Sequence, residues 1–269
     1  MDKIQRALDL AALHRPSAAA DDVTGAERAA VRREFTPPPM EPARRLSVDW
    51  SQLRENRIVD GADKRPAAQA YRMLRTQVLQ RARTHRLSTI GVVSAASGEG
   101  KTLTAINLAL GLAAEPNQSV LLMDLDLKRP SIARTLQLPV DLGLEAWFAG
   151  TAKLEDLWCG LNGAERLFVM PTLAAVPDSS EVLARTTTTK MLQDLKERDP
   201  GRLMIIDLPP VLLSDDALTL APRLDAVVLV VTEGRTRRED IARTLELLGN
   251  TRVIGTVLNQ STESEQRAY

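Results

Sequence analysis

Residues 67–260 alternate between two hydrophobic patterns. Short, continuous apolar runs predict strands that are buried on both faces, near 88–94, 119–123, 167–171, 202–206, 225–231 and 253–258. Apolar residues at helical spacing predict helices between them, near 67–84, 102–114, 142–148, 187–197, 214–221 and 237–248. This alternation predicts an α/β fold in which helices cover both faces of a parallel sheet. Ligands of such sheets bind beyond the carboxyl ends of the strands.

The composition changes near residue 66. The preceding residues mix small, charged and proline residues without a sustained period, so we expect a largely flexible N-terminal segment. Apolar positions in residues 2–13 and 47–59 predict either transient helices or docking sites for a partner. The chain then divides into a flexible segment over residues 1–66, a folded domain over residues 67–262 and a flexible tail over residues 263–269.

Charge and composition argue against several classes of function and location. Lys plus Arg and Asp plus Glu both number 35, so no overall positive field favours nucleic acid. No apolar run approaches the ~18–20 residues that cross a membrane, and residues 1–15 lack the apolar core of a signal peptide. The lone cysteine, Cys159, cannot form an internal disulfide bond. We therefore expect a cytoplasmic protein.

The stretch "SGEGKT", residues 97–102, follows a predicted strand and opens a predicted helix. Glycine-rich turns in this place let backbone N–H groups close around phosphate oxygens, and the helix dipole assists them. Lys101 would then reach the β- and γ-phosphates, and the Thr102 hydroxyl would hold Mg²⁺. The full pattern has glycine where this chain has Ala95, but Gly98 and Gly100 lie nearest to the phosphates. A turn with an unrelated lysine is the alternative.

Three aspartates end predicted strands. Asp124 and Asp126 follow one strand, and their side chains point to the same side in an extended segment. Asp207 ends another strand. Beside a phosphate loop, one carboxylate can hold Mg²⁺ and a second can accept a proton from an incoming hydroxyl. The same groups would orient a water molecule in a simple ATPase, so the pattern leaves both reactions open.

Over about residues 67–260, these motifs resemble the bacterial tyrosine kinases (BY-kinases) of capsule and exopolysaccharide synthesis. "SGEGKT" is similar to their Walker A loop. The first glycine of that loop is typically replaced by a small residue in the family, and here that residue is Ala95. "LLMDLDLKRP" resembles their Walker A′ motif, with Lys128 in place of the usual arginine. "LMIIDLPPVLLSDDAL" resembles their Walker B stretch. "VIGTVLNQ" is similar to their last core strand, where Asn259 would neighbour the base or simply end the strand.

The resemblance implies a P-loop NTPase-like fold and an ATP-dependent protein-tyrosine autokinase that regulates exopolysaccharide or capsule synthesis and export. The implied cofactors are ATP and Mg²⁺. Catalytic roles are implied for Lys101, Asp124 and Asp126, of which Asp124 is the better candidate for the proton acceptor. The implied ligands of the metal are Thr102, Asp126 and Asp207. The implied nucleotide-binding residues are Ser97, Gly98, Glu99, Gly100, Lys101, Thr102, Leu103 and Asn259.

Two departures from the family concern assembly and substrate. "QAYRMLR" resembles the oligomerisation motif Glu-x-x-Arg-x-x-Arg, with Gln69 in place of the acid, followed by Arg72 and Arg75. These neighbours on a helix surface would dock against the next subunit of a homo-oligomeric ring, or form a solvated basic face. In place of a cluster of C-terminal tyrosines the chain has Tyr269, which is the implied phosphoacceptor or a chance residue. Its other tyrosine is Tyr71, in the first predicted helix.

The N-terminal opening and "VDWSQLR" look like the freestanding cytoplasmic kinases of exosortase loci. Such a member is expected to be activated by the cytoplasmic tail of a membrane-bound chain-length or co-polymerase protein. That partner would place the kinase at the inner face of the cell membrane. Residues 1–14 are our candidate for the docking segment, because they form an amphipathic stretch outside the core.

Two other functions stay open at this point. A ParA/MinD-like ATPase of division-site or plasmid-partitioning type, acting as a nucleotide switch, would share the sheet and the acids. Its loop carries a lysine at the position of Ala96, so this chain departs from it. A regulator that binds ATP without phosphorylating tyrosine is the third hypothesis. Formation of phosphotyrosine at Tyr269 would distinguish the three.

Overall fold

The structure is a computed structural model that describes residue 42, residues 44–61 and residues 63–261. Its strands are β1 (Arg44–Leu46), β2 (Thr89–Ser94), β3 (Val120–Asp124), β4 (Cys159–Leu161), β5 (Ala164–Met170), β6 (Leu203–Asp207), β7 (Ala226–Thr232) and β8 (Val253–Asn259). Its α-helices are α1 (Trp50–Glu55), α2 (Pro66–His85), α3 (Lys101–Ala113), α4 (Ile132–Thr135), α5 (Leu144–Phe148), α6 (Ser179–Ala184), α7 (Thr186–Arg198), α8 (Asp215–Leu220) and α9 (Arg238–Leu248). Leu154–Asp156 and Ala221–Arg223 form short 3₁₀ helices.

The strands form one sheet in the order β1-β4-β5-β3-β6-β2-β7-β8. Neighbouring strands are parallel, except that β4 and β5 are antiparallel. The predicted α/β fold is confirmed, and the predicted strands and helices are present within a few residues of their expected bounds. The sequence analysis does not predict β1, β4, α4 or α6. Strands of three residues and a helix of four are too short to show a period, and α6 has only six residues.

Strand β7 shows how the sheet separates two cores. Val228 and Val230 pack in one core, together with Ile106 and other residues of α2 and α3. Val227 and Leu229 pack in the other core, with residues of α6, α7, α8 and α9. Since successive side chains of a strand point to opposite faces, this alternation places helices on both sides of the sheet. The prediction of a sheet that is buried on both faces is therefore confirmed.

The folded unit begins before the boundary predicted at residue 66. Leu53 and Ile58 are fully buried in the same core as Ile106. The side chain of Asn107, on α3, accepts the Val59 N–H at 2.8 Å and donates to the Arg57 carbonyl at 3.1 Å. Residues 44–61 are thus packed against the domain rather than free of it, which corrects the predicted boundary. The predicted helix over residues 2–13 and the tail over residues 263–269 lie outside the described residues.

Candidate active site

Three neighbouring strands bring the predicted site residues to one edge of the sheet. β3 ends at Asp124, β6 ends at Asp207, and β2 leads into the loop that precedes Lys101. These strands are adjacent in the order β3-β6-β2, and Asp124 and Asp207 are register partners. Because the strands run parallel, their carboxyl ends meet at this edge, as the sequence predicts.

Two glycines shape the phosphate loop. Gly98 and Gly100 have φ angles of +78° and +84°, which residues with a side chain rarely adopt. A Cβ atom on Gly100 would also overlap the side-chain amide of Asn259. Helix α3 begins directly after Gly100, at Lys101. The unpaired N–H groups of the first turn of this helix therefore lie beside the loop, where they can bind an anion.

Lys101 is buried between two of the aspartates. Its Nζ atom donates to Asp126 Oδ2 at 2.7 Å and lies 3.5 Å from Asp207 Oδ1. Burial alone would lower the pKa of Lys101, but attraction to Asp207 and Asp126 raises this pKa above its ordinary value. Lys101 is therefore a permanent positive charge inside the site.

The Thr102 hydroxyl connects the phosphate loop to Asp207. Thr102 Oγ1 donates to Asp207 Oδ2 at 2.6 Å and accepts a hydrogen bond from Ser131 Oγ at 3.2 Å. Burial raises the pKa of Asp207 to about 6, although the charge of Lys101 and the Thr102 hydroxyl oppose the rise. A hydroxyl and a carboxylate are oxygen ligands of the kind that Mg²⁺ prefers.

Asp124 is fully buried at the end of β3. Its Oδ2 atom accepts the backbone N–H groups of Ser131 and Ile132, both at 2.9 Å. Burial, followed by repulsion from Asp207, raises the pKa of Asp124 to about 8, against the effect of these backbone hydrogen bonds. The site thus gathers three carboxyl groups around Lys101, and a bound cation would favour their ionised forms.

A cavity of about 670 Å³ opens beside these groups. Asp126 lines the cavity, whereas Asp124 has no exposed surface. Six of the predicted nucleotide-binding residues line it: Ser97, Gly98, Gly100, Lys101, Thr102 and Leu103. The predicted loop and one predicted carboxylate therefore share one cavity.

Glu99 and Asn259, also predicted to bind nucleotide, are not among the residues that line this cavity. The Glu99 carboxylate is buried, and it accepts the Ala96 N–H at 2.9 Å and the Thr236 hydroxyl. The Asn259 side chain donates to the Glu99 carbonyl at 2.9 Å. Both residues therefore brace the phosphate loop against β8 and the loop after β7. Direct contact of either with a nucleotide stays a prediction.

The structure adds basic residues that the sequence analysis did not assign to the nucleotide site. Lys128, Arg129 and Arg134 line the cavity and contribute positive charge to its wall. Lys128 and Arg129 follow Asp126 closely, so their position in the sequence is a signal for them. Arg134 comes from α4, and a four-residue helix carries no periodic signal. A cavity with basic walls suits a polyanionic nucleotide.

The predicted oligomerisation residues lie on α2. Arg75 Nη2 pairs with Glu115 Oε1 at 3.0 Å, and Arg72 Nη1 donates to the Asp63 carbonyl at 3.4 Å. Both arginines line a second groove, of about 440 Å³, and Gln69 is exposed. These contacts lie within one chain, so docking against another subunit stays a prediction. Tyr269 lies outside the described residues.

The described residues contain no preformed cluster of three His, Cys, Asp or Glu side chains that could hold a metal ion. This agrees with the donor set around Thr102, which supplies one hydroxyl and nearby carboxylates. Mg²⁺ usually keeps several waters and binds through one or two carboxylates and the phosphates of the substrate. The Thr102 hydroxyl and the carboxylates of Asp126 and Asp207 therefore fit as protein ligands of a Mg²⁺ ion.

Comparison with known proteins places the chain in a family. Residues 86–267 match the ParA family model, described as NUBPL iron-transfer P-loop NTPase. Tyrosine-protein kinase CpsD of Streptococcus pneumoniae serotype 4 is 30% identical over 178 residues, which cover 65% of this chain and 77% of the relative. The chain belongs to the bacterial tyrosine kinases, within the P-loop NTPases.

Further relatives support the assignment of this chain to the bacterial tyrosine kinases. Tyrosine-protein kinase YwqD of Bacillus subtilis is 27% identical over 81% of this chain and 92% of the relative. The crystal structure of the VpsO kinase domain superposes with a TM-score of 0.63 and 28% identity, over 71% of this chain and 93% of that domain. Succinoglycan biosynthesis transport protein ExoP of Rhizobium meliloti is 28% identical over 80% of this chain and 28% of its own length.

The nucleotide-switch ATPases are relatives in fold. The septum site-determining protein MinD of Pyrococcus horikoshii, complexed with Mg-ADP, superposes with a TM-score of 0.55 and 25% identity. This match covers 66% of the kinase chain and 72% of MinD. Both the superposition and the shared length are smaller than for the kinase domain of VpsO, so the similarity favours the kinases.

Proposed function

We propose that this kinase transfers the γ-phosphoryl group of ATP to a tyrosine hydroxyl in the 670 Å³ cavity beside Lys101. The observation that carries the proposal is the arrangement of Lys101 and Thr102 from the phosphate loop against Asp126 and Asp207 from two other strand ends. Phosphoryl transfer requires mainly positioning and neutralisation of charge, and these four side chains offer both.

The phosphates occupy the turn at Gly98 and Gly100, where backbone N–H groups and the start of α3 receive them. Lys101 then leaves part of its contact with Asp126 and neutralises the β- and γ-phosphates. Thr102, Asp126 and Asp207 would hold Mg²⁺. Such an ion would supply positive charge to offset the charge that develops on the phosphates.

The proton of the incoming hydroxyl goes to one of the two Walker A′ aspartates. The carboxylate of Asp126 lines the cavity, so it can meet the hydroxyl without rearrangement. Burial raises the pKa of Asp124 to about 8, so without a bound cation this carboxyl holds a proton near neutral pH. It is buried and bonded to Ser131 and Ile132, so it accepts the proton only when the loop after β3 moves, and otherwise it orients that loop. We therefore assign the first contact to Asp126.

Tyr269 is the proposed acceptor. The C-terminal tail of the same chain, or of another copy in a homo-oligomer, would bring it to the cavity. The polysaccharide context is supported by the similarity to ExoP, a succinoglycan biosynthesis transport protein. No described helix is long and apolar enough to cross a membrane. We propose that a membrane-bound co-polymerase partner recruits the kinase to the inner face of the membrane through its cytoplasmic tail.

The test is mass spectrometry of the purified full-length protein after incubation with Mg·ATP. We expect phosphate on Tyr269, and none after Lys101→Met or Tyr269→Phe. Tyr71→Phe is the matched control, because it removes the other tyrosine of the chain and should leave the signal intact. Hydrolysis of ATP without phosphotyrosine, with and without a co-polymerase tail, would instead support the nucleotide-switch ATPase.

A further inference from the structure

Lys128 connects the two acidic loops of the site. It lies two residues after Asp126, in the loop between β3 and α4, and it lines the nucleotide cavity. Its ammonium lies 3.1 Å from Asp215 Oδ1 and 3.4 Å from Asp216 Oδ1, at the start of α8. Helix α8 follows the loop that begins after Asp207. One group of charges therefore joins the loop of Asp126 to the loop of Asp207.

The two partners of Lys128 differ in burial. The side chain of Asp215 is 65% exposed, whereas that of Asp216 has no exposed surface. Among the described residues, neither carboxylate oxygen of Asp216 accepts a hydrogen bond, and its negative charge faces the ammonium of Lys128 at 3.4 Å. Exposed ion pairs contribute little, but a buried carboxylate that loses its partner is strongly unfavourable. The contact with Asp216 therefore determines where Lys128 lies.

The position of Lys128 is transmitted to Asp126 through the adjacent backbone. Asp126 Oδ1 accepts the N–H of Arg129, the next residue after Lys128, at 3.1 Å. The other oxygen of the same carboxylate binds Lys101 at 2.7 Å. Displacement of Lys128 would move the Arg129 N–H and with it the carboxylate that it orients.

We propose that Lys128 is a positioning residue, which acts through its ion pair with buried Asp216 to hold the Asp126 carboxylate in place and so sets the affinity of the site for Mg-nucleotide. This inference rests on the proposed nucleotide site but not on the identity of the phosphate acceptor. An arginine fits the same role because it retains the charge, although it would pair with Asp216 through a planar fork.

The experiment measures binding of Mg·ADP to the full-length protein by calorimetry, together with thermal unfolding. We expect Lys128→Met to weaken binding about tenfold, which corresponds to an ordinary coupling between contacting residues. Lys128→Arg should retain most of the affinity. The double variant Lys128→Met/Asp216→Asn should recover it, because the buried charge is removed together with its partner. Asp215→Asn is the matched control and should change binding by less than about twofold.

Two results would overturn the inference. One is unchanged affinity in a folded Lys128→Met protein. The other is a loss that Asp216→Asn does not restore, since Lys128 would then act by direct contact with the phosphates. Where Lys128→Met alone does not fold, the double variant decides: affinity near that of the wild type supports the inference, and weak affinity overturns it. A wild-type protein that fails to bind Mg·ADP would refute the proposed function itself.

Discussion

The Lys101 ammonium donates to the Asp126 carboxylate at 2.7 Å, although the two residues are 25 positions apart. The first comes from the start of α3 and the second from the loop after β3. Without nucleotide, this ion pair satisfies a buried lysine and a carboxylate that both face the cavity. The same two groups are then available to phosphate and metal.

Lys101→Met should therefore abolish phosphoryl transfer. We expect the rate of phosphotyrosine formation to fall by a factor of about 100 or more, since Lys101 is the buried cation of the site. Lys190→Met is the control: Lys190 is an exposed residue on α7 and does not line the cavity, so its loss should leave the rate unchanged. A Lys101→Met protein that retained the wild-type rate would exclude this lysine from catalysis.

Gly100→Ala should block the nucleotide site. Gly100 and Gly150 have similar φ angles, of +84° and +75°, so an alanine at either position carries the same backbone strain of about 1–2 kcal/mol. A Cβ atom at Gly150 meets open space, whereas one at Gly100 overlaps the Asn259 amide. We expect Gly100→Ala to weaken Mg·ADP binding strongly and Gly150→Ala to lower only the melting temperature slightly.

A second substitution separates the two effects at Gly100. Asn259→Ala removes the amide that the new Cβ would meet, so the double variant should bind better than Gly100→Ala alone. If both glycine variants bound nucleotide equally well, the overlap would have no consequence and the strain alone would matter.

The stability of the nucleotide-free protein should fall as pH rises. The pKa of Asp124 goes from 3.8 in the unfolded chain to about 8 in the folded protein. The folded state therefore binds more protons between these values, and its free energy of unfolding decreases from pH ~4 to pH ~8. Asp124→Asn, which keeps an acceptor oxygen for Ser131 and Ile132, should raise the melting temperature at pH 8 and change it little at pH 4.

Asp141 provides a control, because its pKa is shifted in the opposite direction from that of Asp124. Its carboxylate is exposed, and the hydrogen bond from Arg44 lowers its pKa. Asp141→Asn should therefore not stabilise the protein at pH 8. Melting curves in metal-free buffer across this pH range would check both variants, and a pH profile that Asp124→Asn leaves unchanged would contradict the assignment.

Residues 44–61 should prove essential to the stability of the domain. A chain that begins at residue 42 keeps the buried Leu53 and Ile58 and the partners of Asn107, so it should unfold at about the same denaturant concentration as the full chain. A chain that begins at residue 66 loses them all. Removal of Leu53 alone, in Leu53→Ala, should cost about 2–5 kcal/mol of unfolding free energy in urea. Equal stability of the two truncated chains would contradict the observed packing.

The local sequence pattern was sufficient to predict long strands and helices, and to predict a site whose residues are adjacent in the sequence. β2, β6 and β7 are apolar runs of five to seven residues, and the phosphate loop needs only glycines beside Lys101 and Thr102. Residues 44–61 show the limit. They have no sustained period, and the residue that binds Val59, Asn107, lies 48 positions away. Only the folded chain shows that this segment is part of the core.

By itself the sequence determined the α/β fold class and the chemical groups of the site, because strand ends in a parallel sheet share one edge. The tertiary structure decided how these groups are used. Asp126 lines the cavity, whereas Asp124 is fully buried. The Glu99 carboxylate accepts a hydrogen bond from Thr236, which is 137 positions away. The fold also pairs Lys128 with Asp216. Burial and pKa depend on contacts between distant segments, and no local period encodes them.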